Sequence, residues 1–131
     1  TPALLAEDFS LRTRDDVWFA GLVAGVEGYA ECSALGLVAA LAIVARVTGR
    51  PFVPPPRTSM LGALLAYLHE ADPRHFQPMN VNFGLLPPLE ERVRDKRRRK
   101  EQLGRRAVAS LSAWIESQEL AWLAPATAAT T

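Results

Sequence analysis

The sequence predicts an α/β fold: a strand–glycine-loop–helix unit followed by a mainly helical C-terminal region. Three observations predict it. Val17-Trp18-Phe19-Ala20 is a short apolar run closed by Gly21, the pattern of a buried strand in a parallel sheet. Gly21, Gly25 and Gly28 then punctuate a loop of small residues. Residues 29–48, YAECSALGLVAALAIVARVT, are rich in Ala and Leu and are stopped by Gly49-Arg50-Pro51, which reads as a helix.

Taken in order, Phe9, Leu11 and Thr13 alternate with Ser10 and Arg12, which predicts a short strand, and Arg14-Asp15-Asp16 reads as a polar turn before the apolar run. From Ala34 onward the first helix is apolar nearly all round, so it needs cover on most sides. Gly36 within it would let a strand or ligand approach closely. Residues 50–57, RPFVPPPR, form a stiff extended linker. Thr58 or Ser59 can cap a helix over about 60–71, with Leu61, Leu64, Leu65 and Leu68 on one face. Residues 72–88 contain four prolines and no helical period, and ordered loops of that length are often functional. A last long helix is expected to start near Pro87-Pro88, with Pro suited to a first turn, and to reach about Leu120. Leu103, Ala107, Leu111, Trp114 and Ile115 share one face of it, and the tail ATAATT reads as frayed.

The 131 residues allow one domain or a piece of a larger one. With 49% hydrophobic and 22% charged residues, a disordered or acidic-tail protein is excluded. A single cysteine, Cys32, excludes an internal disulfide framework and a multi-cysteine zinc site. The longest apolar stretch, Cys32 to Ala45, is shorter than the roughly 20 residues of a spanning helix, and TPALLAEDF has no basic region of a signal peptide. The expectation is therefore no membrane segment and a cytoplasmic setting. The net charge of +1 masks an asymmetry: residues 90–106 hold nine basic against four acidic side chains. Such a block suits an anionic partner.

A strand feeding a helix through a glycine loop is a phosphate or cofactor site on physical grounds, because first-turn N–H groups are free and the helix dipole favours negative charge. A tight turn with no ligand has the same spacing. The longer string FAGLVAGVEGYAECSALGLVAA (residues 19–40) closely resembles the last strand–loop–helix of the FAD domain in two sister flavoprotein families that modify tRNA. One is the folate- and FAD-dependent tRNA uracil-5-methyltransferase family, TrmFO; the other makes the carboxymethylaminomethyl modification at the wobble uridine. The form Gly25-Val26-Glu27-Gly28-Tyr29 and the downstream strings ALLAYLHEADPRHFQPMNVNFG (63–84) and FQPMNVNFGLLPPLEERVRDKRRRKE (76–101) favour the methyltransferase. The resemblance covers roughly residues 1–118.

It implies the closing strand–loop–helix of a Rossmann-type FAD domain of the glutathione-reductase kind. On that reading residues 1–50 belong to the FAD domain, 51–88 carry a proline-rich linker, short helix and loop near the flavin/folate cleft, and 89–131 form a basic helix and tail. Family members take a one-carbon unit from methylenetetrahydrofolate, with reduced FAD as reductant regenerated by NADH or NADPH, and make 5-methyluridine at position 54 of tRNA. The cofactor-facing residues implied are Gly21, Gly25, Val26, Glu27, Gly28 and Tyr29. No GxGxxG occurs in the chain, and the family's catalytic cysteines lie upstream of the matched region, so no catalytic residue is assigned here. The chain is expected to be the C-terminal segment, inactive without the remainder of the FAD domain.

The other candidates keep two readings each. Glu27 and Glu31 either meet the helix dipole or position flavin or folate. Tyr29 packs on the flavin or fills the helix start. Cys32 is a small core residue or a thiol tuned by the helix start. His69 and His75 lack metal-ligand spacing, so no metal is expected. Asn80 and Asn82 either read a pterin edge or hold their own loop. In the basic block, Glu90–Arg94, Asp95–Arg99 and Glu101–Arg105 are spaced as helical ion pairs. Arg92, Lys96, Arg97, Arg98, Lys100 and Arg106 exceed what the acids pair, and are the expected tRNA-phosphate contacts. The alternatives are a segment of the sister wobble-uridine enzyme and a stand-alone RNA-binding remnant without catalysis.

Overall fold

The computed structural model describes residues 2–118. A short 3-10 turn, Pro2–Leu4, leads into strand β1 (Ser10–Leu11), which pairs antiparallel with β2 (Arg14–Trp18). This corrects two expectations. The turn falls at Arg12-Thr13, and Arg14-Asp15-Asp16 is strand rather than turn. Arg14 and Asp16 stand two residues apart on one exposed face, where strand alternation brings them into a 2.7 Å ion pair. The apolar run, moreover, belongs to a local two-stranded hairpin, and no parallel sheet occurs among the described residues.

Helix α1 (Tyr29–Val47) matches its expected span, and Gly49 follows it with a φ of 66°. It turns Leu35, Val38, Ala39 and Ala42 inward. With Leu5, Phe9, Ala24, Val26, Leu64, Leu65 and Leu68, Leu35 and Val38 form the main core. Leu37, Ile43, Val44 and Val47 stay exposed, so much of the cover that its apolar sequence requires is not supplied by the described residues. Counting its ends, α1 is long and apolar enough to cross a membrane by length and composition alone. This exceeds the Cys32–Ala45 estimate, which left out Tyr29–Glu31 and Arg46–Val47. Nothing lies within 4 Å of a Cβ built on Gly36, so no described residue makes the close approach expected there. Arg46 ties the helix end to the hairpin. It pairs with Asp8 (3.5 Å) and Asp15 (3.1 Å), and its guanidinium lies 5.2 Å from the Trp18 ring.

The linker runs extended to Pro56. Helix α2 (Met60–Glu70) starts at the Ser59 cap, whose hydroxyl accepts from the Gly62 N–H at 3.0 Å and donates to the Pro56 carbonyl at 2.7 Å. Helix α3 (Lys96–Ser117) begins eight residues later than Pro88. Its start is set by Asp95, which accepts from the Arg98 N–H at 2.7 Å, while Arg106 donates to the carbonyls of Pro87 and Pro88 and holds them off the helix axis. Glu90 is therefore outside the helix and Asp95 is its cap. Of the three expected ion-pair acids, Glu101 is the one inside the helix, and it pairs back to Arg97 at 3.1 Å. Leu103 and Ala107 pack on Ala63 and Leu86, and the Trp114 indole N–H donates to the Val53 carbonyl at 3.0 Å. The expected reach to Leu120 and the frayed tail fall outside the described residues.

Candidate functional site

Three glycines shape the loop between β2 and α1. Gly21, Gly25 and Gly28 have φ of 71°, 93° and 94°, backbone that a side chain would strain. Residues Gly21–Ala24 make a 3-10 turn, closed by the Gly25 N–H donating to Leu22 (3.0 Å) and the Val26 N–H to Gly21 (3.3 Å). Val26 is then fully buried, which anchors the loop in the core.

The loop meets the 72–88 segment directly. The Glu27 N–H donates to the Met79 carbonyl at 2.9 Å, and the Met79 N–H to Gly25 at 3.1 Å, a parallel bridge. Glu31 completes the junction: its carboxylate accepts from the Val81 N–H at 3.3 Å. Gly28 makes room for this, since a Cβ there would lie 2.3 Å from Glu31 Oε2. Two strings far apart in sequence thus form one surface, bearing Glu27, Gly28 and Asn80, while Gly21 and Gly25, expected to face a cofactor, are buried beneath it. Neither this bridge nor the Glu31 contact was anticipated. Val81 follows Asn80 in an apolar–polar alternation, and that is the faint strand signal that could have suggested the bridge.

Outside the junction, Tyr29 is 97% exposed, with Leu22 and Val23 also exposed beside the loop. Gly28 caps α1 without a side-chain hydrogen bond, leaving first-turn N–H groups uncapped by any side chain. Cys32 sits beneath the loop, its thiol 3.5 Å from the Val26 carbonyl. Asn82 is engaged locally. Its Oδ1 accepts from the Gly84 N–H at 2.9 Å, capping the 3-10 turn Phe83–Leu85, and its Nδ2 donates to the Asn80 carbonyl at 3.2 Å. Asn80 is exposed. The Arg74 guanidinium holds the Asp72 carboxyl below its ordinary range, and His75 adds a contact at 3.2 Å. Among the described residues no His, Cys, Asp and Glu group could hold a metal ion.

The cations lie elsewhere, along the first turns of α3 and before it. Arg92, Lys96, Arg98 and Lys100 are exposed, and Arg97 is engaged by Glu101. Arg106, grouped with them from sequence, is half-buried against Pro87 and Pro88, so its guanidinium serves the fold.

The family described as Glucose inhibited division protein A matches residues 1–51, the hairpin, glycine loop and α1. A longer match is to the methylenetetrahydrofolate–tRNA-(uracil-5-)-methyltransferase TrmFO of Pelobacter propionicus, 49% identical over 117 residues, 88% of this chain and 25% of that protein. The Syntrophus aciditrophicus TrmFO is 44% identical over 114 residues, 87% of this chain and 26% of that protein. The chain matches a segment of the TrmFO family. The Symbiobacterium thermophilum TrmFO adds 48% identity over 115 residues. Whatever its ends, a match of that length to TrmFO contains both the glycine loop and the 76–101 string. The chain spans about a quarter of the length of these relatives.

Proposed function

We propose that the chain is the C-terminal part of a cytoplasmic tRNA uracil-5-methyltransferase, one that forms 5-methyluridine at position 54 of tRNA with methylenetetrahydrofolate as carbon donor, reduced FAD as reductant and NADH or NADPH to regenerate it. The observation that carries this reading is the bridge between Gly25–Glu27 and Met79, which joins the glycine loop to the downstream string that distinguishes the methyltransferase from its sister.

The residues present fit a flavin. Exposed backbone free of a side chain at Gly28 lets a flat ring system approach, and the uncapped first turn of α1 offers N–H groups to its electron-rich edge. When bound, FAD would supply the reducing equivalents and the folate the one-carbon unit. The chain's own contribution is positioning. Val26 fixes the loop in the core, Glu31 clamps the 79–81 segment beside it, and Tyr29 presents an uncovered aromatic face next to the glycines. Asn80 is the better placed of the two asparagines to meet a pterin edge, because Asn82 is spent on the Phe83–Leu85 turn. Arg92, Lys96, Arg98 and Lys100 would hold tRNA phosphates.

The test is nucleoside mass spectrometry of tRNA incubated with methylenetetrahydrofolate, FAD and NADH. The complete protein, with the remainder of its FAD domain, is expected to form 5-methyluridine, and this chain alone none. Product formed by the chain alone, or a wobble-position product from the complete protein, would overturn the reading.

A further inference from the structure

The basic stretch of α3 runs beside an aromatic ring. Phe83 stands against the helix at Gly104, where a Cβ would lie 3.9 Å from the ring. The absence of a side chain at residue 104 leaves a shallow, open apolar shelf lined by Phe83, Gly104, Val108 and Ala109, with Lys100 and Arg105 on its rim. Phe83 is 38% and Val108 68% exposed. The Lys100 ammonium lies 5.9 Å from the ring centroid. The acid at the shelf, Glu101, is engaged by Arg97 at 3.1 Å, so the rim that remains is cationic.

We propose that this shelf is a stacking platform for an unpaired RNA base, with Lys100 and Arg105 holding the adjoining phosphates. It rests on the reading that tRNA is the partner, and adds to it which part of the RNA is gripped, and by what. An exposed aromatic face flanked by cations is the arrangement that single-stranded nucleic acid uses, because every base has a face to stack and every nucleotide a phosphate to neutralise. A duplex offers the helix only phosphates and leaves the ring without a role. An apolar protein partner would have to desolvate Lys100 and Arg105, which interface cores avoid. The ring is also fixed in advance. Asn82 caps its turn and Leu86 is buried against α3, so little ordering cost is left for binding.

The experiment compares two labelled probes, an RNA hairpin with unpaired uridines in its loop and a blunt duplex of equal charge, against the full chain over a series of salt concentrations. Phe83→Leu is expected to weaken hairpin binding about ten-fold, to leave the duplex unchanged and to leave the salt slope unchanged. Phe83→Trp should keep hairpin affinity. Replacing Lys100 and Arg105 by Gln should instead flatten the slope, by about 0.7 for each phosphate released. Gly104→Leu, which covers the shelf from the helix side with the ring in place, should reproduce the Phe83→Leu loss, and it keeps the test decisive if Phe83→Leu does not fold. Unchanged hairpin affinity in Gly104→Leu and in a folded Phe83→Leu variant, with a steep salt slope intact, would overturn the platform and leave the tRNA reading standing. No RNA binding by the unaltered chain at low salt would overturn both. Displacement of the hairpin by polyglutamate as effectively as by unlabelled hairpin would mean charge alone is read, and would also overturn the platform.

Discussion

Two helical glycines respond in opposite senses to the same substitution. A Cβ at Gly62 would lie 2.0 Å from the Pro56 carbonyl oxygen, a backbone atom that cannot swing away, so Gly62→Ala is expected to cost about 2 kcal/mol or more despite alanine's better helix propensity. Gly36 meets nothing within 4 Å, so Gly36→Ala should add about 0.5–1 kcal/mol in the isolated chain. Urea denaturation of both variants decides the pair; equal shifts would mean the linker does not pack on α2 as described. A third residue sets a pH response. His69 faces the Phe9 ring at 5.0 Å, with Glu7, Arg12 and Glu70 nearby, and burial of that side lowers its pKa below 6.5. The folded chain then binds the proton less tightly than the unfolded chain. Stability is full above pH 6.5 and falls as pH drops from there toward the folded pKa. Thermal melts between pH 7.5 and 5 should show the loss, and His69→Gln should flatten it. The lowered carboxylates Asp16, Glu70 and Asp72 lose their contributions only at more acid pH, below that window.

At the level of elements, what the sequence disclosed follows from how local each signal is. The span of α1, the Ser59 cap and the extended linker were legible because their causes lie within a turn or two of the residues concerned: an Ala/Leu run, a hydroxyl before a helix, clustered prolines. The glycine loop was legible for the same reason. The start of α3 was not. Pro87-Pro88 suits a helix N-terminus, and only the reach of Arg106 back to the two proline carbonyls, from 18 and 19 residues away, shows why the chain stays extended there. The hairpin is hidden in the sequence because Arg14 and Asp16 are turn-type residues, and only their pairing across one strand face marks them as strand. The bridge from Val26 to Met79 is a long-range contact whose one local sign is the short Asn80–Val81 alternation, and that sign does not name a partner, so the joining of the two loops is disclosed by the fold. The cap that fixes α3 is testable by itself. Asp95→Ala should cost about 1 kcal/mol and raise amide exchange at Arg98, whose N–H loses its acceptor. Unchanged exchange at Arg98 would place the helix start elsewhere.

For the whole molecule, the open question of α1 becomes a prediction about association. Leu37, Ala40, Val44 and Val47 recur at helical spacing along one exposed stripe, with Val44 56% and Val47 80% exposed. A contiguous apolar stripe of that kind is costly to leave in water, and the described residues do not cover it. In isolation the stripe is expected to find another copy of itself. Sedimentation velocity of the isolated chain should show concentration-dependent association, and Val44→Lys with Val47→Lys should abolish it without lowering the melting temperature measured at dilutions where the unaltered chain is monomeric, since neither side chain belongs to the buried core. In the complete protein the same pair should do the reverse. There the remainder of the proposed FAD domain would cover the stripe, two buried lysines would lack partners, and the melting temperature should fall. The sign of the change in melting temperature, neutral in the segment and negative in the whole, separates a surface that is merely exposed from one built to be covered.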